Sequence, residues 1–332
     1  MIVQHLTCWV VTDGKAGMEN QCIGLAEAVG ITPVVKRVTL RSPWRQLSPF
    51  FRLGPRHSTA PGSDALEPPW PDLLITSGRA SVTPALGVRR VSRGKTFAVH
   101  IQDPQIPPRL LDLVVVPQHD KLRGPNVITT RGALHLITPE KLADAAARLG
   151  PAYEHLPRPR IAVLIGGTNK LFRMTPVIMG DVAEKLANLA KCHGAGLLVT
   201  PSRRTGADNE AILRARMADV PSVVWDGQGE NPYFAFLALA DVIVVTSDSV
   251  SMVSEACSTG KPVYIIELDG GSPKFQTFHQ ALKDAGVIRT FTGELDHWSY
   301  RPLDDTAVVG AEIRRRLEAR TGQRIEAPRQ AG

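Results

Sequence analysis

Three short segments of this chain join hydroxyls, glycines and positive charge to the ends of apolar runs, a mixture suited to holding a phosphorylated ligand. The densest is Thr246-Ser247-Asp248-Ser249-Val250-Ser251-Met252-Val253-Ser254-Glu255-Ala256. Read as a strand end, a turn and a helix start, it offers unpaired N–H groups, a positive dipole end and the hydroxyls of Thr246, Ser247 and Ser249. At helical spacing Ser251, Ser254, Glu255 and Ser258 share a polar face, and Val250, Val253, Ala256 and Cys257 a buried one. Asp248 would repel a phosphate at that helix end, so it is assigned to capping or to positioning hydroxyls. Glu255, about two turns in, suits two adjacent ribose hydroxyls. The competing reading is a capped surface helix with ordinary N-terminal residue preferences.

The second segment is Gly166-Gly167-Thr168-Asn169-Lys170, where paired glycines let backbone approach a ligand and Lys170 supplies a point charge. It is not a Walker A loop, and a plain tight turn competes with it. The third is Ser202-Arg203-Arg204-Thr205, whose guanidinium forks match phosphate oxygens. Lys274, placed in a loop after an expected last strand, can reach a donor sugar or phosphate. A fourth segment, Asp13-Gly14-Lys15-Ala16-Gly17-Met18-Glu19-Asn20-Gln21, lacks the GxGxxG spacing of a dinucleotide fingerprint. There Asp13 ends a strand, where a general base can stand, and Asp103 in His100-Ile101-Gln102-Asp103-Pro104 ends another. His119-Asp120 follows the next strand, and His119 is read as a satisfied loop histidine. Cys192-His193 lacks further ligands at zinc spacing, so no metal site is expected.

The elements that must position these residues alternate between short apolar strands and amphipathic helices, the pattern of an α/β protein with parallel sheets. Strands are expected at Thr7–Thr12, Val34–Leu40, Asp72–Thr76, Thr96–Ile101 and Leu111–Val116, with a helix from the glycine turn to Val29, stopped by Gly30. Arg52 to Pro71 reads as a Pro/Gly/Ser-rich loop, and a helix near Pro139–Leu149 closes the first domain. Leu156-Pro157-Arg158-Pro159-Arg160 is the expected linker. Beyond it, strands are expected at Ile161–Ile165, Gly196–Thr200, Val223–Trp225, Asp241–Thr246 and, last, Val263–Glu267. Thr175-Pro176 and Asn231-Pro232 open helices, Gly194 ends one, and Ala307–Arg320 forms a terminal helix.

The fold class is therefore α/β, two doubly wound Rossmann-like domains facing a cleft, divided as 1–155 and 156–332. The terminal helix is the element placed to return to the first domain. With 332 residues the chain is long enough for two cores, and its formal charge of +7 favours acidic partners. No basic block interleaved with aromatics marks a nucleic-acid groove. Apolar runs are strand-length, so no transmembrane segment is expected, nor a secretory signal. Four cysteines without a CxxC pair suggest reduced thiols in a cytoplasm-like compartment.

The glycine turn at Asp13–Gln21, Ser202–Thr205, Asn231-Pro232-Tyr233 and Thr246–Ala256 together resemble the Elm-type mitochondrial-fission-like family, over nearly the whole chain. That family resembles GT-B glycosyltransferases, including the transferase that adds N-acetylglucosamine to the lipid-linked peptidoglycan precursor. The resemblance implies that Gly14, Lys15, Ala16, Gly17, Asn20 and Gln21 face an acceptor and that Glu255 matches the glutamate holding the donor nucleotide. Those enzymes often carry a histidine where this chain has Met18. The implied activity is a metal-independent transfer from a nucleotide-diphosphate sugar, as substrate and with no cofactor, to an envelope lipid or polysaccharide. Gly166, Gly167, Thr168, Asn169, Lys170, Ser202, Arg203, Arg204, Asn231, Thr246, Ser247, Asp248, Ser249, Ser251, Glu255 and Lys274 form the expected nucleotide-sugar site, and Asp13 or Asp103 the base. A lipid-linked acceptor would place the protein on the inner membrane face. A nucleotide-sugar 2-epimerase and a non-enzymatic fission-type adaptor remain the alternatives.

Overall fold

The structure is a computed structural model describing residues 6–42, 48 and 59–328. The first strands and helices are β1 (Cys8–Thr12), α1 (Ala16–Val29), β2 (Pro33–Arg37), β3 (Leu73–Ser77), α2 (Arg79–Val91), β4 (Phe97–Ile101), β5 (Leu113–Pro117) and β6 (Val127–Thr130). Then follow α3 (Pro139–Leu149), β7 (Arg160–Ile165), β8 (Phe172–Arg173), α4 (Pro176–His193), β9 (Gly196–Pro201), α5 (Ala207–Met217), β10 (Ser222–Val224) and α6 (Tyr233–Leu239). The chain closes with β11 (Val242–Thr246), α7 (Val250–Ser258), β12 (Val263–Ile266), β13 (Asp269–Gly270), α8 (Pro273–Asp284), β14 (Ile288–Thr290) and α9 (Asp305–Thr321).

Two compact units result: one runs to Leu136 and resumes at Asp304, the other spans Ile137–Leu303. The first holds a six-stranded sheet in the order β2-β1-β3-β4-β5-β6, and the second one in the order β10-β9-β7-β11-β12-β14. Every neighbouring pair in both sheets is parallel. Strands such as Ile161–Ile165 are buried throughout because helices cover both faces, hence continuous apolar runs rather than alternation.

The division lies before α3, not after residue 155. The helix Pro139–Leu149 belongs to the second unit because its Leu142 and Ala145 face that unit: Leu142 packs into the core shared with Phe236 and Leu237 of α6. Tyr153 meets Phe236 edge to face at 5.0 Å. The proline-rich segment at Leu156–Arg160 is thus internal to this unit; Leu156 is buried and Arg160 heads β7. Prolines mark stiff, extended backbone, and here that backbone leads into a central strand rather than between units.

Several elements lie outside the sequence expectations. Pro84 sits inside α2, which conceals a helix in the pattern, and β14 follows the strand at Val263–Ile266 expected to be last. Lys274 therefore lies in the first turn of α8, not in a loop. Of the loop expected from Arg52 to Pro71, residues 52–58 lie outside the described residues; Leu66, further along, is buried in the first unit's core. Among the described residues no helix is long and apolar enough to cross a membrane.

Helix α9 closes the first unit. Asp305 accepts the N–H groups of Arg131 and Gly132, both at 3.0 Å, and Arg314 donates to the carbonyls of Ala28 and Val29 at the end of α1. Gly310 permits the contact: a Cβ there would stand 2.7 Å from that of Ala28 and 2.8 Å from its carbonyl oxygen. Gly310→Ala therefore discriminates between two effects. Helix propensity alone favours alanine by about 1 kcal/mol, whereas overpacking costs about 1–3 kcal/mol. The expected outcome is a lower urea midpoint; a higher one would show that α9 does not need this close approach.

Candidate functional site

The second unit has the strand order of a Rossmann sheet, with β7 first, β9 and β10 to one side and β11, β12 and β14 to the other. In such sheets ligands lie beyond the carboxyl ends of the strands where the order reverses, here between β7 and β11. The turns after β7, β9 and β11 carry the three phosphate-suited segments, so adjacent strands bring residues far apart in sequence to one edge.

A buried carboxylate joins these turns. The side chain of Asp248, with no exposed surface, accepts from Arg204 Nη2 at 2.6 Å, the Thr246 hydroxyl at 2.6 Å and the Gly167 N–H at 3.1 Å. Thr246 Oγ1 in turn accepts the Gly166 N–H at 2.8 Å. The Gly166 carbonyl receives the hydroxyls of Ser202 at 2.8 Å and Thr205 at 2.7 Å. Asn169 donates to the Asp248 carbonyl at 3.3 Å, and the Thr168 N–H to that of Arg204 at 3.1 Å.

This network corrects the expected roles. Of the two roles expected of Asp248, the helix cap falls to Ser249, which accepts the Met252 N–H at 3.3 Å, and Asp248 takes the other, fixing the Thr246 hydroxyl. Thr246 and Ser247 are buried, with Ser247 Oγ accepting the Leu268 N–H at 3.1 Å, so both hydroxyls serve the fold. Ser254 is fully buried and bonds back to the Val250 carbonyl, so it leaves the polar face. The paired glycines admit protein groups: a Cβ on Gly166 would lie 2.1 Å from Asp248 Oδ1, and one on Gly167 2.1 Å from the Arg204 carbonyl oxygen. Arg204 is partly committed to Asp248. Lys170 and Arg203 are exposed, and neither has a side-chain partner among the described residues. Lys274 is exposed on α8, and β13 pairs with β8, tying the loop before that helix to the one after β7.

Glu255 of α7 accepts the Tyr233 hydroxyl on Oε2 at 2.6 Å, while Oε1 takes no hydrogen bond among the described residues. Tyr233 opens α6, where Asn231 Oδ1 accepts its N–H at 3.0 Å. Burial pushes the Glu255 carboxyl up to about 7, against the pull of the Tyr233 bond. Tyr233 is itself pushed well up, by burial and then by the charge on Glu255. Tyr233, Thr205 and Asn209, whose amide donates to the carbonyls of Met174 and Thr205, were absent from the expected site. The Ser-x-x-Thr spacing was a readable sign of Thr205; the union of Tyr233 with Glu255, 22 positions away, was not.

In the first unit the strand order reverses between β1 and β3. Asp13, just past β1, accepts both the N–H and the ammonium of Lys15. Asp103, past β4, is exposed and accepts the Gln105 N–H on Oδ1 at 2.8 Å, leaving Oδ2 without a partner among the described residues. The two carboxylates share the carboxyl edge, with β3 between their strands and thus about 10 Å of sheet separating them. Gly14 and Lys15 form the turn, whereas Ala16, Gly17, Asn20 and Gln21 lie on α1, with Gln21 buried. Glu19 is held below the usual carboxylate range chiefly by Arg37, which bonds it at 2.7 and 2.9 Å. His100 is buried, which pushes it down to about 3 and keeps it neutral beside the Thr76 hydroxyl at 2.8 Å. Among the described residues no group of three or more His, Cys, Asp or Glu side chains could hold a metal ion.

Asp248→Ala would strand two buried donors and release Arg204. Each stranded buried donor costs about 1–3 kcal/mol, whereas the half-exposed Arg204 can return to water, so the expected outcome is an unfolding free energy from urea titration lowered by about 2–4 kcal/mol. A change below about 1 kcal/mol would mean that the turns hold each other without the carboxylate.

Residues 16–317 match the family model described as Mitochondrial fission ELM1. The Arabidopsis thaliana protein named Mitochondrial fission protein ELM1 is 31% identical over 389 aligned residues, covering 94% of this chain and 91% of that protein. Among solved structures, a UDP-N-acetylglucosamine 2-epimerase superposes with a TM-score of 0.56 at 13% identity, over 99% of each chain. The UDP-GlcNAc 2-epimerase of Neisseria meningitidis, bound to UDP-GlcNAc, gives 0.51 at 13% identity over 97% of this chain and 95% of that one. At such identities the likeness speaks for the fold alone, two parallel-sheet domains of GT-B type. The family match over most of the sequence, with a plant relative aligned nearly end to end, agrees with the motif resemblance: the chain belongs to the mitochondrial fission ELM1 family.

Proposed function

We propose that the second unit binds a nucleotide-diphosphate sugar and that the protein transfers the sugar to an acceptor hydroxyl without a metal ion. The observation that carries this reading is the half-engaged carboxylate of Glu255, with Oε2 held by Tyr233 and Oε1 open, on the helix that starts at the switch-point turn. The first-turn N–H of Val250 has no acceptor among the described residues. Five residues of helix set it about 7.5 Å from Glu255 along the axis, on the order of one ribose-phosphate unit. A diphosphate at the helix start and a ribose at Glu255 follow from that spacing.

The chemistry assigned to this reading is charge stabilisation. As the bond from the sugar carbon to the phosphate oxygen breaks, the electron pair stays on the diphosphate, and Lys170, Arg203 and the α7 dipole offset the new charge. Arg204 keeps the turn in shape through Asp248. The acceptor oxygen forms the new bond to the sugar and gives its proton to a carboxylate, for which Asp13 and Asp103 are the candidates. Asp103 has an uncommitted oxygen; Asp13 would have to release Lys15. Envelope lipids and polysaccharides are the acceptor class to which the resemblance points.

A thermal-shift panel of nucleoside diphosphates and diphospho-sugars tests the donor, with UDP-GlcNAc the first probe because a solved relative in fold binds it. One nucleotide should raise Tm, since a ligand of the native state stabilises by mass action, and Glu255→Ala should abolish the shift. No stabilisation of the folded protein by any of them sinks the donor site. Product analysis with a labelled donor then separates transferred sugar from an epimerised nucleotide sugar.

Glu255 also gives the binding a pH signature. Its folded value of about 7 lies above the ordinary 4.5, so the fold loses this group's contribution as pH rises from 4.5 to about 7. Accepting two ribose hydroxyls requires the ionised form, so binding releases a proton and affinity rises as pH passes through about 7. Glu255→Gln should flatten both profiles. An affinity profile unchanged by that substitution would remove Glu255 from the ribose.

A further inference from the structure

We propose that the first unit carries a separate binding site for the phosphate group of an organic phosphate, in the cavity between the end of α2 and the entry to β5. The cavity measures about 320 Å³ and is lined by Leu86, Gly87, Arg90, Arg93, Gly94 and Leu110, with Arg89 in its wall. Helix α2 starts at the carboxyl end of β3 and ends where β4 begins, and Leu110 leads into β5. The cavity is therefore at the amino edge of the sheet, opposite the edge that carries Asp13 and Asp103. It rests on none of the groups assigned to sugar transfer.

The local charge is one-sided. Asp112 is saturated: it accepts Arg89 at 3.0 and 3.1 Å, the Ala98 N–H at 2.9 Å and Arg320 at 3.4 Å. Arg320 also donates to the Gly94 carbonyl. Arg90 and Arg93 are exposed, and neither guanidinium has a side-chain partner among the described residues. Two unpaired guanidinium forks on one small cavity match the oxygens of a phosphate, and the walls of Leu86 and Leu110 leave an apolar side for the organic part.

A helix C-terminus favours cations near its last carbonyls, which accounts for arginines in the final turn of α2. It does not account for Arg93. Ser92 is the C-cap, so Arg93 is the next residue, and its φ of 53° is left-handed. Glycine is the residue that takes this position without a steric penalty. An arginine at this position, lining a cavity that a second unpaired arginine also lines, is a backbone outlier that points to function.

Two variants and three probes test the site. Binding of glycerol 3-phosphate and inorganic phosphate is measured by calorimetry, and binding to phosphatidylcholine vesicles with and without phosphatidic acid by flotation. The intact chain should bind at least one phosphate-bearing probe, and Arg90→Gln/Arg93→Gln should weaken that binding at least tenfold with Tm unchanged. Loss confined to the vesicles identifies a lipid headgroup as the source; loss confined to the soluble probes identifies a free metabolite. Arg93→Gly should hold or raise Tm while weakening the same binding, a split that a structural arginine would not produce. The site is overturned if no probe binds, if the double variant binds as the intact chain does, or if Arg93→Gly lowers Tm without touching binding.

Discussion

Burying a charged carboxylate is tolerable only where donors converge on it, and Asp248 meets that condition at the end of β11. Its oxygens collect a guanidinium, a hydroxyl and a backbone N–H from three different turns. The turns after β7 and β9 have local bonds of their own, Asn169 Oδ1 accepting the Leu171 and Phe172 N–H groups and Ser202 Oγ that of Arg204. The bonds to Asp248 join them into one edge, and the glycines at 166 and 167 let the carboxylate and the Arg204 backbone come close enough. Whatever binds at this edge meets a surface whose internal hydrogen bonds are already made. The groups left over are Lys170, Arg203, the start of α7 and one oxygen of Glu255.

The two sheets share parallel strands but differ in where their order reverses. In the second unit the reversal coincides with the Asp248 network, and the polar residues there are tightly engaged. In the first it falls between β1 and β3, where Asp13 pairs with its own turn and Glu19 with Arg37. Carboxylates ending parallel strands in the first unit and hydroxyls with cations in the second are different chemical offers from two similar frames. That difference, more than either motif alone, is what an asymmetric reaction between donor and acceptor would use.

Much of the frame was legible in the chain. Buried parallel strands read as continuous apolar runs, so Ile161–Ile165 and Gly196–Thr200 were readable to within a residue or so. Thr175-Pro176 and Gly194 marked the ends of α4 because capping is local chemistry. The unit boundary was not legible, since α3 chooses its partner through a long-range contact with α6 that no local composition signals. Helix α2 was hidden by an internal proline. At the site, residue types pointed to the right turns, but their duties were exchanged. Thr246 and Ser247 read as ligand groups and serve the fold, Asp248 positions the Thr246 hydroxyl, and Tyr233, read as part of a helix start, fixes the carboxylate of Glu255. Hydroxyls and acids read alike in sequence whether they face solvent or each other, and only tertiary pairing separates them.

The return of α9 to the first unit sets an order on events during synthesis. That unit's α1 surface, shaped to receive Gly310 and Arg314, stays bare while every residue of the second unit is being made. The second unit is continuous in the chain and has all its strands before α9 leaves the ribosome. It can complete its core first, whereas the half begun earliest is finished last. An apolar face that waits this long is exposed to wrong partners, so the surface of α1 is the one in need of protection until α9 has been made.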